Sequence, residues 1–539
     1  MEDRKGLDMN KSLNQQIKEL VWKLPFSAEL DVSLRGYYGL EGNFIHVLDD
    51  VLDEWVLEAK ENSVELEEKD RKHVFIFAAT HVWIPNTIIM ALAFKALGHE
   101  VSYGYVPYMK WFEDISDYSR RKLDHLVWRT LRKAKGFLDL IPFTKVEKAN
   151  IPSELIEETW KLSIRDLQYT FMVEEVDLDH EMFALRQKRN KAATASLYHW
   201  FEENKPDVVI VPNGMVFEYG AALNTAKHLG IPVVSYEYGE QAEKLWLDKD
   251  RSVMLQDSTE VWTSVKGIEF TTEQKEEIEE LYANRVNANL WQNFERKWQG
   301  VPKQGDQAIK DQLGLDDRPI ALLASNVIGD SLTLQRATFT GTMTEWLRRT
   351  IKYFIDRSDV QFVLRTHPGE LVAKGPSVVD LVEAEFPELP ENVHLVRPND
   401  PVNTYDLISI AEIGLAYTTT VGMEIAMHGV PVIVVGNTHY REKGFTHDPN
   451  SWEEYFQVLD QEFSTKDKQG ISKEEVDLAW KYAYHFFFSY PFQYPWHMRG
   501  FFETVKKYPL SQFLSEQGKQ KYNRAIQALL GGSVNWIGD

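Results

Sequence analysis

The chain carries two series of apolar, strand-length runs, and segments with helical periodicity separate the runs. The first series opens at VFIFAAT, residues Val74 to Thr80, passes through NTIIMALAFKALG and continues at HEVSYGYV. The second opens at PIALLAS and ends at PVIVVG. Because parallel strands need a crossover connection, usually a helix, this alternation indicates parallel sheets. We therefore predict an α/β fold with two Rossmann-like domains that face an interdomain cleft.

The length of 539 residues also favours more than one domain, since a single core rarely grows so large. Segments without the strand and helix alternation separate and flank the two series. The predicted organisation is a helical N-terminal extension (1–70), a first Rossmann-like domain (71–265) with a helical insertion at about 111–205, a helical linker (266–315), a second Rossmann-like domain (316–450), and C-terminal helices (451–539) that cross back to the first domain.

Composition excludes several classes of function. The chain has 60 Lys and Arg against 82 Asp and Glu, a net charge of −22, which disfavours nucleic-acid binding. It has no cysteine, so disulfides and thiolate metal sites are impossible. The first residues lack a signal-peptide pattern, and no run of about 18 apolar residues occurs. A soluble cytoplasmic protein is expected.

One segment departs from the acidic average. Residues Ser119 to Phe137 are basic and carry apolar residues at helical spacing. They form either a solvated helix with an ordinary buried face, or a surface for anionic lipid or a phosphate-bearing acceptor. Peripheral contact with the inner face of a membrane is therefore one of two interpretations.

Polar loops follow three of the apolar runs in the second series. Open parallel sheets bind ligands outside the carboxyl ends of their strands, so these loops are the predicted binding site. The candidate residues are Asn326 and Asp330 in SNVIGDS, Arg365 and His367 in RTHPGE, and Thr418, Thr419, Thr420 and Glu424 in YTTTVGME.

Two of these loops have chemistry that suits a phosphorylated ligand, and in the third small residues permit close approach while Asp330 can bind a hydroxyl. Hydroxyls before a helix cap it, and the free N–H groups of that terminus attract phosphate. Glu424 lies about one turn inside, within reach of a ribose diol. Proline fixes the backbone after His367, which can donate to a phosphate oxygen beside the charge of Arg365. Capped helices and ordinary turns explain the same residues without a ligand.

The first series offers candidates for a general base beyond the ends of its strands. These are His81 in THVW, and Glu237 and Glu240 in YEYGEQ. A hydrogen-bonded histidine and solvated glutamates are the structural alternatives. Asp177 and Asp179 have an Asp-x-Asp spacing that can hold a divalent ion, but they follow no clear strand and open a helical segment. No metal site is predicted.

Together these features resemble the GT-B glycosyltransferases, in particular the bacterial capsule and surface-polysaccharide transferases that include Kdo and sialic-acid transferases with an HP motif. The resemblance covers residues 316–450 and is carried by the HP pair, the threonines, Glu424 and HGVPVIVVG. It implies a nucleotide-sugar donor in the C-terminal half, with His367 and the threonines on its phosphates and Glu424 on its ribose.

The same resemblance implies a saccharide or lipid-linked acceptor in the N-terminal half, and no cofactor besides the nucleotide sugar, which is a substrate. An inverting enzyme would need a base, the role for which His81, Glu237 and Glu240 are candidates. The acidic, acidic, Gly triplet that sialyl and polysialyl members pair with HP is absent, which argues against a CMP-linked sialic-acid donor. A nucleotide-sugar epimerase of this fold and a non-catalytic nucleotide-sugar binding or assembly subunit remain alternatives.

Overall fold

A computed structural model describes residues 20–35, 44–239, 241–287, 301–464 and 470–537. Within these ranges the strands form one seven-stranded and one five-stranded sheet. The strands are β1 His73–Ala78, β2 Glu100–Tyr105, β3 Asp139–Pro142, β4 Val208–Pro212, β5 Val233–Tyr238, β6 Lys244–Lys249, β7 Ile320–Ala324, β8 Gln361–Arg365, β9 Val393–Val396, β10 Ile413–Ala416, β11 Val432–Val434 and β12 Phe492–Gln493.

Helices connect the strands and cover both faces of each sheet. They are α1 Ser27–Arg35, α2 Phe44–Glu61, α3 Ile84–Ala96, α4 Asp117–Leu131, α5 Ser153–Phe171, α6 Glu181–Asn204, α7 Phe217–His228, α8 Thr259–Val265, α9 Thr272–Val286, α10 Asp306–Leu313, α11 Met343–Ile355, α12 Val378–Glu385, α13 Thr404–Ile410, α14 Val421–Met427, α15 Trp452–Ser464, α16 Lys473–Tyr484, α17 Phe501–Lys507, α18 Leu510–Leu514 and α19 Glu516–Leu529.

The first sheet has the strand order β12-β6-β5-β4-β1-β2-β3. Its central strand β1 is buried along almost its whole length and pairs in parallel with β2 and β4. Near one edge β6 runs in the opposite direction, and it pairs antiparallel with β5 on one side and with β12 on the other. Strand β3 lies inside the segment predicted as a helical insertion, which is a correction. Four residues of half-buried strand are too short for their periodicity to stand out in the sequence.

The second sheet is parallel throughout, in the order β11-β10-β7-β8-β9. Leu322 of β7 pairs with Val363 of β8 on one side and with Gly414 of β10 on the other. All five residues of β7 and all five of β8 are buried, as expected for strands covered on both faces. Two Rossmann-like α/β domains are thus present, and the predicted fold class is confirmed.

The C-terminal segment returns from the second domain to the first. After α16 the chain makes a π-helical turn at His485–Ser489 and adds β12 to the edge of the first sheet, where Phe492 pairs with Leu245. Tyr522 and Ile526 of α19 then join the same apolar core as Trp55 of α2. The first domain is therefore completed by helices from both ends of the described chain.

The loop between α5 and α6 contacts the second domain. The carboxylate of Glu174 accepts the N–H groups of Met343 at 2.6 Å and Thr344 at 2.9 Å, the first residues of α11. A carboxylate at a helix N-terminus satisfies free donors and complements the helix dipole. This contact fixes the second domain against the first and so helps to set the width of the cleft.

No helix in the described part of the chain combines the length and apolar character needed to span a membrane.

Candidate functional site

A cavity of about 380 Å³ lies where the two domains meet, a size typical of small-molecule sites. The loops that follow β7, β8 and β10 form one wall. The end of β5, the start of β6 and the segment around the π-helical turn form the other. Six predicted residues line it: Asn326, Asp330, His367, Thr418, Thr419 and Thr420.

Asn326 links two of the loops. Its Oδ1 accepts the N–H of Thr418 at 3.1 Å, so the loop after β7 is tied to the loop after β10. The hydroxyl of Thr418 donates to the carbonyl of Leu332 at 3.1 Å and closes the same junction. Since Asn326 uses its carbonyl oxygen as the acceptor, its amide N–H groups are the donors that remain on that side chain.

The threonines cap α14 less completely than the sequence predicts. The hydroxyl of Thr419 accepts the N–H of Val421 at 3.4 Å, a long hydrogen bond. Thr420 occupies the N-cap position but has helical φ and ψ angles and makes no side-chain capping bond. Of the predicted capping by threonine hydroxyls, the structure therefore retains one weak contact, that of Thr419. Both threonines line the cavity instead.

His367 follows β8 and is held as a neutral hydrogen-bond donor. Its Nδ1 accepts the N–H of Gly369 at 2.9 Å, which makes the histidine the cap of a short 3₁₀ turn. Burial, reinforced by the nearby positive charge of Arg365, lowers the pKa of His367 to about 4. The ring is therefore neutral at pH 7, and because Nδ1 is an acceptor, the proton is on Nε2.

Arg365 and Glu424 do not line the cavity, in contrast to their predicted contacts with a ligand. Arg365 donates to the backbone carbonyl of Arg397 and is 5% exposed. The carboxylate of Glu424 lies 2.8 Å from the guanidinium of Arg285 and accepts the hydroxyl of Tyr405 at 3.0 Å. Direct ribose binding by Glu424 does not fit this buried position, so we correct that assignment. The helical period predicts that Glu424 lies one turn inside α14, but it does not show which face of the helix is buried.

Two cations that sequence reasoning missed do line the cavity. Arg285 comes from α9, inside the predicted linker, and its guanidinium lies over the ring of Phe487 with 4.8 Å between centres. Lys244 comes from β6, and burial lowers its pKa. Neither residue follows the carboxyl end of a parallel strand. The rule that ligands bind beyond such ends therefore does not predict them.

An aromatic wall faces the hydroxyls. It consists of Trp246, Phe486, Phe487 and His439. His439 stacks on Phe486 with ring centres 3.7 Å apart and planes 5° apart, and burial lowers its pKa well below the usual value. Phe486 belongs to an apolar core of the second domain and also lines the cavity, so the aromatic segment His485 to His497 contributes to both.

Of the candidate bases, Glu237 lies near the end of β5, two residues before Gly239 of the cavity lining, but does not itself line the cavity. Burial raises its pKa to about 7, although hydrogen bonds from the N–H of Tyr238 and the amide of Asn213 oppose this. Its charge and that of Asp330, which lines the cavity, both act on Tyr169, whose pKa is raised mainly by burial. The two carboxylates therefore flank one tyrosine at the domain boundary.

The other two candidates lie elsewhere. His81 is partly buried after β1, does not border the cavity, and has a pKa lowered by burial. Glu240 lies outside the described residues, so its prediction stays untested. Within the described ranges no three carboxylate or histidine side chains converge as a metal site would require.

The two Rossmann-like domains and the cavity between them define the architecture. The chain has the GT-B fold. No protein-family model matches its sequence, and no curated protein does so either.

Solved structures similar to this chain include two that carry the name KpsC. The beta Kdo 2,4 transferase of Thermosulfurimonas dismutans KpsC is 17% identical, with 52% of this chain and 79% of that chain covered and a TM-score of 0.34. The beta Kdo 2,7 transferase of the same protein is 13% identical, with 58% and 89% covered and a TM-score of 0.33.

The UDP-GlcNAc 2-epimerase of Neisseria meningitidis, bound to UDP-GlcNAc, is 14% identical, with 81% and 100% covered and a TM-score of 0.23. These likenesses concern the fold. The side chains that line the cavity carry the inference about the reaction.

Proposed function

We propose that this protein is a glycosyltransferase that moves a sugar from a nucleotide-sugar donor to a saccharide or lipid-linked acceptor in surface-polysaccharide biosynthesis. The observation that carries the proposal is the composition of the cavity. One wall presents His367 as a neutral donor together with three threonines, and the opposite side presents two cations and aromatic rings. This combination suits a ligand with phosphates at one end and a flat base at the other.

The donor's phosphates are assigned to the space between the hydroxyls on one wall and the two cations on the other. The Nε2–H of His367 and the hydroxyls of Thr419 and Thr420 donate to phosphate oxygens, and Lys244 and Arg285 neutralise their charge. As the bond to the sugar breaks, negative charge builds on the departing nucleotide, and preorganised donors stabilise that charge. We propose that these side chains suffice without a metal ion or further cofactor.

The base is assigned to the aromatic wall, where Trp246 offers an apolar face for stacking. The sugar then lies toward the domain boundary near Asp330. If transfer inverts configuration, Glu237 is the proposed general base, since a pKa of about 7 suits proton removal at neutral pH. The acceptor enters from the first domain in this arrangement, and the protein acts in the cytoplasm.

The test begins with binding. The full chain is screened by thermal shift against nucleoside mono- and diphosphates and their sugar conjugates, because a ligand that binds only the folded state raises the melting temperature. One nucleotide should give a selective shift that Thr419→Val reduces. Ser264→Ala, which removes an exposed hydroxyl on α8 that donates only to Glu260, is the matched control and should leave the shift unchanged.

A turnover assay distinguishes a transferase from an epimerase and from a non-catalytic assembly subunit. The nucleotide sugar identified by binding is incubated with and without a panel of saccharide and lipid-linked acceptors, and products are followed by mass spectrometry and NMR. Acceptor-dependent release of the nucleotide supports a transferase. Appearance of an epimer without any acceptor would identify an epimerase, and binding without turnover would favour an assembly subunit. No shift with any nucleotide would contradict the proposed site itself.

A further inference from the structure

Exposed apolar side chains are concentrated near the N-terminal end of the described chain. Eighteen large apolar side chains are exposed in the described ranges, and eight of them lie within residues 20–44. Contiguous apolar surface of this kind marks an interaction site in soluble proteins, whereas single exposed residues need no explanation. The apolar face is defined here by Trp22, Leu24, Phe26, Leu30 and Leu34.

Helix α1 is apolar on two opposite sides. Ala28 and Val32 are fully buried against the body of the protein. Phe26, Leu30 and Leu34 follow one another at four-residue spacing and are 78%, 60% and 77% exposed. Leu30 and Leu34 lie four residues apart and so share one outward face of α1. Phe26 directly precedes the helix, with a left-handed φ of 61°. A helix that is apolar on both sides is normally covered on both, which calls for a partner on the outer side.

The apolar face is held beside the basic segment that the sequence singles out. Glu29 pairs with Arg121 at 3.4 Å, and Asp31 pairs with Lys122 at 2.8 Å. Trp22 stacks on Tyr118 with ring centres 5.3 Å apart. These contacts fix α1 along α4.

Helix α4 and the turn after it are rich in basic side chains, with seven Lys and Arg and two Asp in residues 117–137. Four of the seven, Arg120, Arg121, Lys122 and Lys133, form ion pairs with Asp or Glu side chains. Arg132 and Lys135 are exposed at the end of this segment. Arg129, Arg132 and Lys145 all act electrostatically on His125, as does Glu29, so the basic cluster lies close to α1. An apolar face suits the acyl chains of a membrane, and a neighbouring basic cluster suits its anionic headgroups.

We propose that the apolar face and the adjoining basic segment dock this protein on an anionic lipid bilayer. Phe26, Leu30 and Leu34 enter the boundary between headgroups and acyl chains, as the apolar side of an interfacial helix does. The exposed side chains of Arg132 and Lys135 lie near the lipid phosphates, where each adds attraction that salt weakens. The proposal does not depend on the reaction that the cavity catalyses.

Co-sedimentation of the full chain with vesicles tests the proposal. The protein should bind vesicles of phosphatidylglycerol and phosphatidylcholine, bind pure phosphatidylcholine more weakly, and dissociate as salt is raised. The double variant Leu30→Ser with Leu34→Ser should lose about tenfold or more in vesicle affinity, because it removes outward apolar area and no core contact. Arg132→Glu with Lys135→Glu should remove the preference for the anionic lipid.

Ile156→Ser with Ile268→Ser is the matched control, since both side chains are exposed on other parts of the surface, and it should bind vesicles as the wild type does. Circular dichroism confirms that each variant is folded. Two results would overturn the proposal. One is absence of binding, or binding undiminished in the Leu30 and Leu34 variant. The other is a lipid-free dimer, seen by analytical ultracentrifugation, that the same variant dissociates, which would make the face an interface between copies.

Discussion

Arg285 and Glu424 form a buried ion pair, 2.8 Å apart, that joins α9 to α14 behind the wall of the cavity. Both side chains are at most 4% exposed. The pair holds Arg285 where it lines the cavity and lies over Phe487, so the cation of the proposed phosphate site is positioned by a carboxylate that the sequence analysis had assigned to the ligand.

Removing one member of this pair should destabilise the protein strongly. Glu424→Gln leaves the Arg285 guanidinium buried beside a neutral group, and such changes cost about 3–5 kcal/mol. The measurement is urea-induced unfolding, followed by intrinsic fluorescence. Glu442→Gln is the control, because Glu442 is 71% exposed and lies 3.9 Å from Arg441, a separation at which surface pairs contribute about 0–1 kcal/mol. Equal losses in the two variants would contradict the role given to the buried pair.

His367 has a structural role and a proposed ligand-binding role, and two substitutions separate them. His367→Asn keeps an acceptor for the N–H of Gly369 but lacks the Nε2–H, whereas His367→Ala loses both. The alanine variant should lose about 1 kcal/mol of stability, as caps do, and the asparagine variant less. Both should bind nucleotide about tenfold or more weakly, since a hydrogen bond to a charged group contributes about 1.5–3 kcal/mol.

Isothermal titration calorimetry with the nucleotide from the screen, beside thermal unfolding, measures the two effects. Ser377→Ala is the control for capping, because it removes the cap of α12 but no residue of the cavity. It should lower stability and leave the affinity unchanged. Normal affinity in the asparagine variant would remove His367 from the binding site.

Glu237 should impose a pH dependence on stability. Burial raises its pKa from 4.5 to about 7 in the folded state, so between these values the folded protein binds more protons than the unfolded chain. Its contribution to stability therefore falls as pH rises from about 4.5 through 7. Glu237→Gln removes this contribution, and the variant should gain stability relative to the wild type as pH rises. Unfolding free energies measured across that pH range provide the check.

Substitution of Glu237 also tests whether this residue is a general base or only a buried carboxylate. Burial also raises the pKa of Glu370 to about 7, but Glu370 lies in the 3₁₀ turn after β8 of the second domain, where its carboxylate accepts the N–H of Val378. Glu370→Gln should alter stability with pH and leave the pH dependence of turnover intact. If Glu237 is the base, turnover rises with pH through about 7, and Glu237→Gln abolishes that rise together with most of the activity. An unchanged pH profile in Glu237→Gln would rule out that role.

The contact between the domains leaves no room for a larger residue at Gly375. A Cβ there would come within 2.2 Å of the carbonyl oxygen of Met172, which belongs to the α5–α6 loop of the other domain. Gly375→Ala should therefore push this loop away and speed hydrogen exchange at the first turn of α11, where Glu174 accepts two N–H groups.

Hydrogen exchange followed by mass spectrometry makes that measurement. Gly267→Ala is the control, because a Cβ at Gly267 meets nothing within 4 Å, and exchange in α11 should then match the wild type. Protection of α11 that is equal in both variants would show that the α5–α6 loop does not hold the domains together.

The local pattern of apolar residues in the sequence predicts much of the fold. The apolar runs of β1, β4, β7 and β8 are contiguous and nearly all buried, so they are visible in the sequence without knowledge of their neighbours. The positions of Asn326, His367 and Thr418 followed from one rule, that loops after parallel strands meet at one edge of a sheet. Strand β3 and the edge strand β12 were missed because four and two residues show no clear period.

Amino-acid sequence alone determined the α/β class, the two domains and one wall of the cavity, because strand length, helical period and loop position are properties of neighbouring residues. Tertiary structure decided the other wall. Lys244, Arg285 and Phe487 come from an antiparallel strand, a linker helix and a returning segment, and only the packing of both domains brings them together. It also decided that Glu424 faces Arg285 and not the cavity, because the direction of a side chain on a helix depends on what the helix packs against.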